Sequence, residues 1–358
     1  MAPLLLHVAG ARPNFPKLAP VLRALQEHPV EQLVVHTGQH YDDSLSGIFF
    51  RQLGMPPPDL NLAVGAGQHG AQTAAVLVKM EAVLMEHEPD VVVVYGDVNS
   101  TLAATLAAVK LHIPVAHVEA GLRSFDRAMP EEVNRLVVDR LAGTLLAPSA
   151  DAVDNLRAEG IADDDIHLVG NPMIDTLLDQ LPEVEATPLP LDDLPEPFVV
   201  ATLHRPSNVD RHEDAVELTR CVQAVADDVD VVLPVHPRSR QHLAPLLARH
   251  PRVHLTEPLG YREFLALVRR CALVVTDSGG VQEETTVLGV PCLTLRDSTE
   301  RPVTISHGTN RLVSRSSLLP EVRAALAAGR SDTWPVPPLW DGHSGERIAR
   351  ILVDRVTV

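Results

Sequence analysis

Residues 91–118 read VVVVYGDVNSTLAATLAAVKLHIPVAHV. Val91–Tyr95 is a β-branched apolar run stopped by Gly96, which reads as a buried strand. Thr101–Lys110, rich in Ala and Leu, follows as a helix. Pro114–Val118 is a second short apolar run. Strand, helix and strand in this rhythm make a crossover between parallel neighbours, the unit of a doubly wound sheet. The rhythm extends outward. Leu4–Ala9, Leu33–Thr37 and Thr144–Ala147 read as strands. Between the first two lies a helical stripe of Phe15, Leu18, Val21, Leu22 and Leu25. Pro16 or Pro20 falls in the first turn of that helix. Leu181–Pro197 breaks the pattern with five prolines and several acids, and reads as a linker. The rhythm then restarts at Phe198–Leu203, Val231–Val235, Val253–Leu255, Leu273–Thr276 and Pro291–Leu295. A last helix from Ser344 to about Val356 carries Ile348, Ile351, Leu352 and Val356 on one face. The expectation is an α/β protein of two doubly wound, Rossmann-like domains facing a cleft. Residues 1–172 form the first domain and 173–343 the second, with the linker near 181–197.

Composition bounds the function. The chain has 358 residues, 45% apolar but only 3% aromatic, so its cores must be built from Leu, Val, Ala and Ile. A net charge of −17 argues against nucleic acid or an acidic membrane surface as a partner. A small anionic ligand remains compatible, because a few focused cations can override the global field. Cys221, Cys271 and Cys292 match no metal-ligand spacing and are expected to be buried thiols in a reducing compartment. Met1-Ala2-Pro3 lacks a basic leader, and Leu4–Ala9 is too short for a signal core. No run approaches the ~18 apolar residues of a membrane span. A cytoplasmic protein is expected.

Ligands of doubly wound sheets sit beyond the carboxyl ends of the strands, so chemistry is sought there. Gly10-Ala11-Arg12-Pro13-Asn14, with Lys17 one turn on, is a turn that can approach an anion, or an ordinary turn. It lacks the second and third glycines of a dinucleotide fingerprint. Gly96-Asp97 ends the third strand, and Asp97, Asn99 or Ser100 could cap the next helix. His117-Val118-Glu119-Ala120-Gly121-Leu122-Arg123 puts a carboxylate at the end of a buried strand. Unpartnered, it would cost several kcal/mol; Arg123 is one available partner. Glu131 and Glu132 open a helix, where acids also suit the dipole. In the second half, His204-Arg205 and, more weakly, His236 with Arg238 suit a phosphate. Ser278-Gly279-Gly280 between strand and helix can cradle a pyrophosphate, with Glu284 one turn on for ribose hydroxyls. Arg296 and Arg301 add cations. Carboxylates thus collect in the first domain and anion-binding groups in the second.

The ordered set Gly10-Ala11-Arg12-Pro13, Thr37-Gly38-Gln39-His40-Tyr41-Asp42, Gly96-Asp97, His117–Arg123, Pro130–Arg135, Ser278–Glu284 and Arg296–Pro302 resembles the non-hydrolysing UDP-N-acetylglucosamine 2-epimerases across almost the whole chain. The resemblance implies a GT-B arrangement in which the last helix, 344–358, returns to the first domain. It implies a homodimer without metal or nicotinamide cofactor, serving polysaccharide biosynthesis. The implied reaction interconverts UDP-N-acetylglucosamine and UDP-N-acetylmannosamine by eliminating UDP and adding it back. Asp97, Glu119, Glu131 and His204 match the family's catalytic positions. Arg12, Lys17, Phe264, Ser278, Gly279, Gly280, Glu284 and Arg301 match its nucleotide-binding positions. Arg123, Arg205 and His236 join them as expected substrate ligands. Some relatives bind a second substrate molecule as activator near positions matching Gln39, His40, Arg205 and His236. Here the run His204–Asp210 and Gly67 depart from the common pattern, which leaves activation open. A glycosyltransferase of the same fold, or an epimerase of a modified UDP-hexosamine, is the alternative.

Overall fold

The computed structural model describes residues 2–38 and 50–357. The chain divides into two units, residues 2–179 with 338–357 and residues 180–337. In the first, strands β1 (Leu4–Ala9), β2 (Glu31–His36), β3 (Leu60–Asn61), β4 (Val91–Tyr95), β5 (Val115–Val118), β6 (Thr144–Ala147) and β7 (Ile166–Leu168) form one sheet. Its order is β3-β2-β1-β4-β5-β6-β7, with every neighbouring pair parallel. The helices are α1 (Phe15–Leu25), α2 (His69–His87), α3 (Asn99–Lys110), α4 (Pro130–Leu141), α5 (Ala150–Ala158) and the start of α6 (Pro172–Ala186), whose last residues, from 180, are counted with the second unit. The apolar run Val91–Tyr95 is buried along its whole length because helices cover both faces of a parallel sheet. Each such Val contributes about 1.5–3 kcal/mol by leaving water.

The second unit holds β8 (Phe198–Thr202), β9 (Asp230–Pro234), β10 (Val253–Thr256), β11 (Leu273–Thr276), β12 (Cys292–Leu295) and β13 (Asn310–Val313). This sheet is also wholly parallel, in the order β10-β9-β8-β11-β12-β13. Its helices are α7 (Pro206–Val209), α8 (His212–Ala226), α9 (Pro237–Leu247), α10 (Tyr261–Arg270), α11 (Gly279–Leu288), α12 (Val303–Ser306) and α13 (Leu318–Ala328). The last helix, α14 (Ser344–Thr357), belongs to the first unit. A Cβ on Gly345 would lie 2.6 Å from the Pro20 carbonyl oxygen of α1, so glycine is what allows α14 to lie this close.

Strand order reverses at β1/β4 in one sheet and at β8/β11 in the other. At such a switch point the connections depart to opposite sides and open a crevice at the strand ends. Gly10–Asn14 and Gly96–Asp97 follow the first pair; His204–Arg205 and Ser278–Gly280 follow the second. The proline-rich stretch differs from its reading as a linker throughout. Residues 181–186 continue α6, with Pro182 inside the helix. Buried Ile174, Leu177 and Val184 supply an apolar stripe that holds the helix together past the proline. Cys271 and Cys292 are buried free thiols, and Cys221 is half-buried.

Candidate active site

In the first unit, the turn after β1 is tied to the end of β4. The Asn14 side-chain oxygen accepts from the Gly10 and Ala11 amides, each at 3.0 Å. Its amide nitrogen donates to the Tyr95 carbonyl at 2.8 Å. A Cβ on Gly10 would lie 2.3 Å from the Ser100 hydroxyl, so only glycine lets this turn pass. Arg12 is half-buried beside it, and burial lowers its pKa. Lys17 is buried one turn into α1 and forms an ion pair with Glu119. Glu119 is 4% exposed. Its backbone sits at φ +75°, left-handed for a non-glycine residue, a strain of order 1–3 kcal/mol. Gly96, at φ +63°, lies against this pair: a Cβ there would be 3.0 Å from Glu119 Oε2 and 3.1 Å from Lys17 Nζ.

Asp97 comes next. None of Asp97, Asn99 and Ser100 caps α3 through its side chain; Val98 occupies the cap position. The Asp97 carboxylate instead pairs with the buried Arg135 of α4. Asn134, also on α4, donates to the Asp97 carbonyl at 2.8 Å. Arg135 reaches back to Glu132 at 2.6 Å. Glu132 accepts from the Ser124 amide at 3.0 Å and the Phe125 amide at 2.8 Å. Burial would raise the Glu132 pKa, but the Ser124 amide and Arg135 hold it below the ordinary carboxylate value. Of the two acids opening α4, Glu132 is therefore the structural one. Glu131 is half-buried and its side chain, among the described residues, enters no hydrogen bond or ion pair.

Arg123 is not brought to Glu119 or to this group. Its guanidinium is buried and binds Glu159 through two nitrogens, each at 2.7 Å, and Asp139 at 2.7 Å. Burial opposes its charge, but Glu159 and Asp139 raise its pKa on balance.

In the second unit, the fully buried Asp277 holds the turn after β8. It accepts from the His204 amide at 3.0 Å, the Arg205 amide at 2.9 Å and the Asn208 side chain at 3.0 Å. Burial pushes its pKa up, and His204, Asn208 and the Arg205 amide together bring it below normal. Asp277 also takes His204 Nδ1 at 3.1 Å, so the Nδ1 hydrogen points to the carboxylate. The His204 ring stacks on exposed His236, with centroids 5.0 Å apart.

Ser278 is the N-cap of α11 and makes no side-chain capping bond, so its hydroxyl leaves the first amides of the helix, at Gly279 and Gly280, to other partners. A Cβ on Gly279 would lie 2.4 Å from an Arg301 guanidinium nitrogen. Arg301 is buried and pairs with Glu283 at 2.9 Å and with Glu300. Glu300 also faces Arg296 at 2.6 Å and Arg205 at 3.6 Å. Burial works against its charge, yet the three arginines hold its pKa well below normal. Arg205, Arg296 and Arg301 thus meet Glu283 and Glu300 in one ion-pair cluster, with the Asp277 carboxylate against the Arg205 amide. Phe264 of α10 is half-buried. Glu284 of α11 is buried, and its pKa is pushed up to about 8 by burial and by Glu283, against the pull of the Tyr261 hydroxyl.

Each unit thus gathers its own share of the expected residues: Arg12, Lys17, Asp97, Glu119 and Glu131 in one; His204, Arg205, His236, Phe264, Ser278–Gly280, Glu284 and Arg301 in the other. Gln39 and His40 lie outside the described residues. Sequence reasoning gave no role to Asn14, Arg135, Asp139 or Asp277. Asp277 stood in the open, in the Thr-Asp-Ser turn after a strand.

The family model described as UDP-N-acetylglucosamine 2-epimerase matches residues 23–353. A Methanocaldococcus jannaschii protein named UDP-N-acetylglucosamine 2-epimerase is 42% identical over 96% of this chain and 97% of its own length. A Pseudomonas aeruginosa protein named UDP-2,3-diacetamido-2,3-dideoxy-D-glucuronate 2-epimerase is 40% identical over 97% of this chain and 99% of its own. The crystal structure of the M. jannaschii enzyme with UDP-GlcNAc and UDP aligns at a TM-score of 0.92 and 40% identity, covering 98% of this chain and 99% of that one. The chain belongs to the UDP-N-acetylglucosamine 2-epimerase family.

Proposed function

We propose that this protein is an isomerase that inverts C2 of UDP-N-acetylglucosamine, giving UDP-N-acetylmannosamine reversibly. The observation that carries this is the set of three carboxylates in three different settings: Glu119 beside Lys17, Asp97 beside Arg135, and Glu131 without a partner among the described residues. The C2 hydrogen is barely acidic, so a placed base must remove it and an acid on the other face must return one. UDP leaves as an anion and must stay bound until it is added back. Arg205, Arg301 and the α11 amides serve this need. His204, oriented by Asp277, is placed to act on the leaving phosphate. Glu284 and Phe264 take the nucleoside. Among the described residues no helix is long and apolar enough to cross a membrane. We infer a cytoplasmic enzyme.

The test is product analysis by NMR after incubating UDP-N-acetylglucosamine with the protein and no acceptor. UDP-N-acetylmannosamine at equilibrium is expected; free N-acetylmannosamine with UDP would overturn the reading in favour of hydrolysis. A second reading has its own support in the P. aeruginosa relative, named for a 2,3-diacetamido uronic acid. The same assay with that nucleotide sugar decides it: a higher kcat/KM than for UDP-N-acetylglucosamine would transfer the assignment. The reading includes a homodimer, for which α2 offers an exposed apolar face at Val78 and Met85, seven residues apart. Light scattering should give the mass of two chains, and a monomer at micromolar concentration would exclude it.

A further inference from the structure

Asp139 of α4 is fully buried and takes three hydrogen bonds or ion contacts from β5 and the turn that follows it. His117 Nδ1 lies 2.6 Å from Asp139 Oδ1, and His117 Nε2 lies 2.8 Å from the Gly96 carbonyl oxygen. The ring thus bridges the Asp139 carboxylate and the Gly96 carbonyl. The Gly121 amide donates to Asp139 Oδ2 at 3.0 Å, and Arg123 reaches the same oxygen at 2.7 Å. Burial raises the Asp139 pKa, but His117 and Arg123 bring it below normal. Two turns are tied to this one side chain. Gly121, at φ +85°, closes the strained turn that starts at Glu119. The Gly96 carbonyl belongs to the turn that presents Asp97. Glu131, Arg135 and Asp139 recur every four residues along α4 and so share one helix face. Glu131 stands on that face, Arg135 holds Asp97, and Asp139 reaches the Glu119 turn directly and the Asp97 turn through His117.

We propose that Asp139, acting through His117 and the Gly121 amide, is a positioning residue that sets the carboxylates of Asp97 and Glu119 at C2. The inference rests on the epimerase reading above. Asp139→Asn keeps the shape but removes the negative charge that His117 and Arg123 face. A displacement near 1 Å at a reacting group costs about 10²-fold, so kcat should fall roughly 10- to 100-fold while UDP affinity is unchanged. Glu159→Gln is the control: it loosens Arg123 from the outside, lowers the melting temperature, and should leave kcat alone. His117→Gln is the second variant, keeping a donor for the Gly96 carbonyl while losing the ring's bond to Asp139. It should lower kcat by about tenfold at unchanged UDP affinity.

Steady-state kinetics, calorimetric UDP binding and melting curves on the intact chain provide these readouts. Wild-type kcat in either variant would overturn the proposal, as would a fall no larger than Glu159→Gln shows for the same loss of melting temperature. Failure of both variants to fold, with Glu159→Gln intact, would also overturn it by making the pair a folding requirement. A wild-type protein that does not invert C2 counts against the epimerase reading. An active wild type with an equally active Asp139→Asn counts against positioning alone.

Discussion

Glu284 at a pKa of about 8, against an ordinary 4.5, ties the proposed nucleotide site to pH. Between those values the folded chain holds a proton that the unfolded chain has released. Stability from this group is therefore greatest below about pH 4.5 and is lost as pH rises toward 8. If ribose hydroxyls donate to Glu284, the ligand must meet the carboxylate, so UDP binding at pH 7 should release a proton and tighten as pH approaches 8. Calorimetry in buffers of different ionisation enthalpy reads that proton directly, and Glu284→Gln should abolish it. No proton release in the wild type would exclude the contact. The sequence shows Glu284 as an acid one turn into a helix, but not its burial beside Glu283 and Tyr261. The same limit applied elsewhere. Arg123 looked like the partner of Glu119 because it is close in the chain, whereas Lys17, 102 residues away, makes the pair. Asp277 fixes His204 across 73 residues. A residue that positions another leaves its meaning in a contact, not in a motif.

At the level of elements, the central strands were legible because burial on both faces writes itself as an unbroken apolar run. Val91–Tyr95, Thr144–Ala147 and Leu273–Thr276 fall where that run predicts. The strands that sequence reading passed over lie at the sheet edges. Leu60–Asn61, Ile166–Leu168 and Asn310–Val313 are short, and each has residues that are not buried. An edge strand needs no apolar run. Helix α2 was passed over for a related reason, since much of it, including Val78 and Met85, is exposed. The turns at the switch points were found through their glycines, and the structure supplies the reason for three of them. Gly10 clears Ser100, Gly96 clears the Lys17–Glu119 pair, and Gly279 clears Arg301.

Over the whole chain, the doubly wound pattern is built twice, in two units. Each has its own parallel sheet and its own hydrophobic core. One holds Asp97, Glu119 and Glu131, and the other an arginine–glutamate cluster in which Arg301 lies beside Gly279 at the start of α11. The division was readable from the sequence because acids followed the strands of one half and cations those of the other. It accounts for a reaction in which proton traffic at C2 and retention of UDP are separate tasks. The central claim is that C2 loses its hydrogen and regains one on the other face. Running the reaction in deuterium oxide and reading C2 of the product by NMR tests it most directly. The account predicts UDP-N-acetylmannosamine carrying deuterium at C2; inverted product that keeps its original C2 hydrogen would contradict it.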